Sequence, residues 1–445
     1  MIDSIQKLTG RMKDLGAVKI YAKRLAPQDN SKNQLYLGSN YSALNVIPHG
    51  EVYTDGSLAA GSKRERAKAE IKFFWIDEHG LYHAPDAQFI LYPKYPEVRM
   101  SGFLRNCERA PSDLMRPRLA GRVLFLGVTE IGQVLGYVVG PEHPLAKIAH
   151  HADHWAETGV LLRVPMAEAA DASDKEMLFR ELNRIHNAGW IEACRLTSSG
   201  REVYNARNAG GTTLEAELGI VANSSPDPDF RGWEVKQYGV VDFVGYSAKS
   251  PVTLITPEPD SGFYKDSGFE AFVRKYGYPD TSGVPDRINF GGIYKCGRQQ
   301  HRLTGLRLEL LGYCQDKHKI EDFDAGIALL DPHDSIAAMW SYSKLMDRWT
   351  RKHANAAYVP SISKSNPQSF RFGSEIGVGE STDFALFLKA VSSGSVYLDP
   401  GGKIEGASSA KPVTHRRSQF RVSHGSLGSL YQAFSVESCV GQRNN

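Results

Sequence analysis

Two hydrophobic rhythms divide the chain. Up to about residue 140, apolar side chains alternate with polar ones in short runs, VKIYAKRL, QLYLGS, EIKFFWID, AQFILYP, RVLFLGV and QVLGYVV, separated by Gly, Pro and polar turns. Alternation rich in β-branched and aromatic residues is the pattern of strands, and many short strands with few helices predict a small β-barrel or sandwich. The rhythm changes through PEHPLAKIAHHADHW and VPMAEAADASDKE, where alanine, acids and small residues take over, so a boundary is expected between about 145 and 175. Beyond it, KEMLFRELNRIHNAG sets Leu178, Leu182 and Ile185 at helical spacing and ends at Gly189, a C-cap signal. GWIEACRL reads as a strand, SGFEAFVRKYG and IAAMWSYSKLMDRWTRK as helices, and LRLELLGY, DAGIALL, DFALFLKAV and SVYLD as strands. That mixture predicts an α/β or α+β second domain. The expected division is 1–160 and 175–445.

Composition narrows the class. A length of 445 residues suits two domains. No apolar run approaches the roughly 18 to 20 residues of a membrane-spanning helix, so no membrane partner is expected. The polar, mixed-charge start MIDSIQKLTGRMKDLG lacks the pattern of a secretory signal, and a cytoplasmic location is the expectation. Five scattered cysteines without a CxxC pair predict reduced thiols. A net charge of +3 is too small to diagnose a nucleic-acid partner, which shows instead as local clusters of cations.

The densest chemistry lies in PDPDFRGWEVKQ, residues 226–237. The period of a strand puts Glu234 and Lys236 on one face and Trp233, Val235 and Gln237 on the other. Asp229 precedes them across FRG, whose Gly232 permits a bend that returns its carboxylate to the same face. Two acids and a lysine supply what phosphodiester hydrolysis needs: hard oxygen ligands for Mg2+, here Asp229, Glu234 and the Val235 carbonyl, and a cation, Lys236, beside the attacking water. A surface strand carrying an ion pair is the alternative, because D-x4-E-x-K is short. Upstream, GGTTLEAELGI predicts a helix on which Glu215 either faces the site or closes a capping box with Thr212.

The whole run GGTTLEAELGIVANSSPDPDFRGWEVKQ, residues 210–237, resembles the core of the MvaI/BcnI restriction endonucleases, relatives of the MutH repair nickase. The resemblance continues more weakly through NAAYVP, TDFALFLKA, SVYLDP and THRRSQFRV, covering roughly residues 175–435. It implies a restriction-endonuclease-like catalytic domain of MutH type and a type II enzyme that cuts double-stranded DNA with Mg2+, Mn2+ substituting. Glu215 matches the family's helix acid, Asp229 and Glu234 its metal-binding acids, and Lys236 its catalytic lysine. Paired histidines and an arginine read bases late in the small family members. This chain has His415, then Arg416 and Arg417 where a second histidine is expected, followed by Arg421. Arginine forks pair with guanine, which favours a short G/C-rich target; a basic hairpin touching only phosphates is the alternative. The resemblance also implies a monomer in the absence of DNA.

IYAKRLAPQDNSKNQLYLGS, residues 20–39, resembles the start of the DNA-binding pseudobarrel of EcoRII-type effector domains. It implies a mainly-β N-terminal domain with a second DNA-binding site that either activates the nuclease or adds sequence preference. Residue chemistry agrees: Lys23, Arg24 and Lys32 flank a polar turn, and Arg99, Arg105, Arg109, Arg116 and Arg118 follow with few acids, so both could line a phosphate-tracking face. HHADH, with His150, His151 and His154, is a weaker zinc candidate. Two other functions remain open: a strand-specific nickase, which would leave a supercoiled plasmid open-circular, and a DNA-binding regulator that does not cut.

Overall fold

A computed structural model describes residues 2–27, 34–38, 41–54, 67–92, 97–166, 173–221 and 228–441. Lys32 lies outside these segments. The chain separates into two units, Met1–Ser173 and Asp174–Asn445.

The first unit is mainly β. Strand Ala17–Arg24 pairs antiparallel with Val123–Thr129, which pairs antiparallel with Val134–Val139, and that strand in turn runs parallel to Phe73–Ile76 within a seven-stranded sheet. A five-stranded sheet is built around Gln88–Tyr92 and Glu97–Ser101. Val123–Thr129 is buried at every position, as its unbroken apolar run demands. Val123 and Phe125 pack with Leu8 and Met12 from helix Ile5–Asp14 and with Leu145 from helix Pro144–His150.

In the second unit, strand Asn355–Lys364 runs through the middle of the main sheet. One edge meets Ser369–Phe372 and Glu375–Thr382, both antiparallel, and Glu234–Gly239 pairs with it in parallel. Helices Asp174–Asn187 and Ala209–Glu217 contribute Leu178, Leu182, Ile185 and Leu214 to a core shared with Trp233, Val235, Ala357 and Val359. The remainder of this unit holds smaller antiparallel sheets, including Arg307–Leu310 with Gly326–Leu330 and Ile336–Ser341, and Arg287–Gly291 with Gly401–Glu405 and Val413–His415. Among the described residues, no helix is long and apolar enough to cross a membrane.

Two elements differ from the expectation. DFALFLKAV forms helix Phe384–Ser392, not a strand; Asp383 accepts a hydrogen bond from the Ala385 amide at 2.8 Å and so caps it. Its buried residues Phe384, Phe387, Leu388 and Val391 follow helical spacing, which the neighbouring apolar positions hide. IAAMWSYSKLMDRWTRK is a strand, Ile336–Ser341, followed by helix Tyr342–His353. The two run together in the sequence because the strand, paired with Gly326–Leu330, is buried at its four inner positions and shows no alternation.

Candidate active site

Parallel pairing brings the site together. Glu234 stands opposite Ala356 and Lys236 opposite Tyr358, so the segments that precede the two strands emerge at the same end of the sheet. On one chain segment that is the turn carrying Asp229; on the other it is the last turn of helix Tyr342–His353, carrying Lys352.

The turn is tight. Phe230 and Trp233 exchange main-chain hydrogen bonds of 2.9 and 2.8 Å, with Arg231 at φ 48° and Gly232 at φ 85°. Positive φ at both central residues is the hairpin geometry that glycine eases. It returns Asp229 to the strand, where its Oδ2 accepts from the Val235 amide at 3.0 Å. Val235 faces the core, while Glu234 and Lys236 share the other face, where Lys236 Nζ donates to Glu234 Oε1 at 2.5 Å.

Glu234 is fully buried. Lys352 Nζ lies 3.2 Å from Glu234 Oε1 and 3.8 Å from Asp229 Oδ1, so two ammonium groups face the pair of carboxylates. Burial works against the charge on Glu234, but the ammoniums of Lys236 and Lys352 outweigh it and hold this carboxyl below its usual range. For Asp229, burial and then the neighbouring Glu234 charge win, and its carboxyl is pushed up. Glu215, partly buried on helix Ala209–Glu217, is also pushed up, by burial first and then by Asp229. Burial opposes the charge on Lys236, and the Glu234 carboxylate overrides it to raise this ammonium. Beneath them His353 is fully buried and stacked on Trp349, ring centroids 4.4 Å apart. Burial, then the two lysines, keep it neutral far below its usual range.

The capping box does not form. Helix Ala209–Glu217 starts before Thr212, whose hydroxyl donates instead to the Cys194 and Ala209 carbonyls at 3.1 and 3.2 Å. Glu215 therefore has no capping role. Its charge instead feels Asp229, Glu234, Lys236 and Lys352.

Among the described residues, Glu234 Oε2 is buried without a hydrogen-bond donor. Among the described residues, no group of three or more His, Cys, Asp or Glu side chains gathers as a metal cage. Two carboxylates and a main-chain carbonyl suit Mg2+, which commonly takes one or two carboxylates and completes its shell with water and phosphate oxygens.

The late basic segment is split by its surroundings. His415, on the edge strand Val413–His415, faces Glu405 with Nε2 to Oε2 at 3.1 Å. Arg416 is exposed and lies over the Phe269 ring at 5.4 Å; Arg417 is exposed beside Gly401. Arg421 departs from the expected base-reading role. Its guanidinium donates to Asp399 Oδ2 at 2.6 Å and to the Pro251 carbonyl at 2.7 Å, ties that hold it within the fold.

Most of the N-terminal cations expected on a DNA face are likewise engaged. Lys23 is buried, 8% exposed, because the second half of its strand is covered on both faces. Arg24 donates to the Ala149 carbonyl and to Asp153, both at 3.0 Å. Arg99 pairs with Glu97 at 2.8 Å and lies over the Tyr92 ring. Arg105 remains exposed, with Asp86 3.7 Å away. The three histidines of HHADH diverge: His150 meets the Gly121 carbonyl, His151 the Lys147 carbonyl and His154 the edge of Trp155. They do not form the zinc site.

The family profile of the MvaI/BcnI restriction endonucleases matches residues 179–431, more than half of the chain and wholly inside the second unit. The chain belongs to the MvaI/BcnI restriction endonuclease family. It is a type II site-specific deoxyribonuclease, and enzymes of the MvaI/BcnI family use divalent metal ions. Similar solved structures include restriction endonuclease MvaI in complex with cognate DNA, at 18% identity over 61% of this chain and 100% of that one, TM-score 0.43. MvaI without DNA is similar at 18% identity over 60% of this chain and 98% of that one, TM-score 0.34. A search of curated proteins found no match.

The sequence reading missed Lys352 and His353. Both belong to the RKH that closes helix Tyr342–His353, just ahead of the NAAYVP strand. A basic helix end directly before a strand that pairs with the acidic one was the available signal.

Proposed function

We propose that the phosphodiester is cut at Asp229, Glu234 and Lys236, with Mg2+ held by the two carboxylates and the Val235 main-chain carbonyl. The observation that carries this reading is a fully buried Glu234 carboxylate, one oxygen of which lacks a hydrogen-bond donor among the described residues, beside a second carboxylate and two ammoniums. Burying several charges together costs stability that a supporting strand has no reason to give up. The bound cation supplies positive charge against the scissile phosphate and acidifies water. Lys236 holds its proton and orients the attacking water, while Asp229 keeps its place through the Val235 amide. Glu215, with its carboxyl pushed up, is the third acid of the site. Mn2+ substitutes for Mg2+.

Arg416, Arg417 and His415 read a short G/C-rich site in the major groove of duplex DNA, where arginine forks discriminate guanine by about 1–3 kcal/mol. The N-terminal unit supplies a second DNA-binding site that either activates the nuclease or adds sequence preference, and the protein is a cytoplasmic monomer until DNA joins.

The test is cleavage of a supercoiled plasmid with Mg2+ by the parent, Asp229→Asn and Lys236→Met. The parent should yield linear product, and both variants should bind duplex DNA while losing at least about a hundredfold in rate. Parent-like cutting by both variants would overturn the site, and an open-circular end product would make the enzyme a nickase.

A further inference from the structure

Lys352 reaches the carboxylates from outside the motif that they define. It sits on the last turn of helix Tyr342–His353, and its Nζ spans both acids, 3.2 Å from Glu234 Oε1 and 3.8 Å from Asp229 Oδ1. Lys236 is bonded to Glu234 alone in the ion pairs of the described residues. Lys352 is thus the cation that bridges the pair. Its side chain is 30% exposed, against 0% for Glu234 and 14% for Asp229, so it is the most solvent-accessible of the three.

We propose that Lys352 is a built-in counter-ion that competes with the divalent cation for the Asp229–Glu234 pair and must withdraw for the cation to load. The inference rests on reading those two residues as the cation's ligands. Two neighbouring carboxylates with little access to water repel each other, and one positive charge between them relieves that repulsion. An ammonium is a compact point charge on a flexible stem, suited both to filling this place and to leaving it. With Asp229 Oδ2 held by the Val235 amide, Oδ1 is the oxygen that Lys352 and a dication would share, and there the two cations repel at contact distance. Lys352 is in this sense a positioning residue. It holds the carboxylates together in the protein alone and sets a threshold for cation entry.

The test measures Mn2+ binding to the full-length protein without DNA, from the loss of the free-ion electron paramagnetic resonance signal. Lys352→Met and Lys352→Gln should each lower the Kd at least about tenfold, the scale on which one adjacent opposite charge alters a carboxylate's affinity for a proton. Lys352→Arg, which keeps the charge, should stay within about twofold of the parent. A merely structural lysine gives the opposite result, since its removal loosens the site and weakens binding. Equal or weaker binding in the neutral variants, with parent-like circular dichroism in the presence of Mn2+, overturns the proposal. Should Lys352→Met not fold, Lys352→Gln decides, because its amide can still donate to a carboxylate. Asp229→Asn separates the two ways of failing: parent-like Mn2+ binding there defeats the ligand assignment itself. Lost binding there without tightening in the neutral variants defeats only the role given to Lys352.

Discussion

Replacing Lys23 by methionine should stabilise the N-terminal unit near neutral pH and lose that advantage as pH rises. Lys23 is 8% exposed, and its ammonium has one long hydrogen bond, 3.4 Å to the Arg24 carbonyl. Burial pushes it from 10.5 down to about 8. The unfolded chain therefore holds more protons than the folded one between about pH 8 and 10.5, and stability rises with pH across that window. Below about 8 the penalty of the buried charge is present in full. At about 1.4 kcal/mol for each pH unit, the window bounds the penalty at about 3 kcal/mol, and relaxation around the ammonium reduces it to about 1–3 kcal/mol. Methionine fills a similar volume without the charge. Urea unfolding of both proteins, followed by circular dichroism at about pH 7 and about pH 9.5, should show the variant ahead by about 1–3 kcal/mol at the lower pH and by less than half of that at the higher. A difference independent of pH, or a less stable variant near pH 7, would refute the reasoning. Duplex DNA affinity should not change, since a buried ammonium cannot meet a phosphate.

Arg421→Ala should destabilise the second unit by about 1–3 kcal/mol in thermal unfolding, because Asp399 and the Pro251 carbonyl lose a charge-assisted donor. The cleaved base sequence should stay the same, read by sequencing fragment ends from a digested phage genome; a changed target at unchanged stability would restore Arg421 as a base reader. Gly232→Ala places a side chain at φ 85° and should cost about 1–2 kcal/mol. The displaced Asp229 should lower the cleavage rate at least about tenfold at unchanged DNA affinity. A parent-like rate would show that the turn does not set the carboxylate.

Asp229, Glu234 and Lys236 were legible because a single turn and strand hold them, so that a period of two and one glycine fix their convergence. Lys352 was not. It lies 116 residues beyond Lys236 along the chain, and only the pairing of Glu234 with Ala356 brings it close. Charge also misled where burial decided the outcome. Lys23, Arg24 and Arg421 look like phosphate or base contacts in a one-dimensional reading, yet each is held by main-chain carbonyls, and the two arginines also by acids. The same blindness applied to apolar runs. DFALFLKAV and IAAMWS are buried on most sides, and a run without polar gaps carries no period from which helix and strand can be told apart. Thr212 and Glu215 had the spacing of a cap, but the helix begins three residues before Thr212.

Two strands that run side by side in the same direction cannot be joined by a short hairpin. Here the connection from Val240 to Ala354 leaves the sheet and returns to it, taking with it several small antiparallel sheets and the helix that ends at His353. The spacing that sets the proposed site is the short stretch from Lys352 to Ala356 on the return and the turn from Asp229 to Glu234 on the departure. Two sheets lie wholly inside that excursion, Arg307–Leu310 with Gly326–Leu330 and Ile336–Ser341, and Tyr313–Cys314 with Lys319–Ile320, and neither pairs with the strand of Glu234. Such a layout lets those sheets diverge while the pairing of Glu234 with Ala356 stays as it is. Loop grafts between relatives are therefore best made with their junctions inside that excursion, well clear of both short stretches.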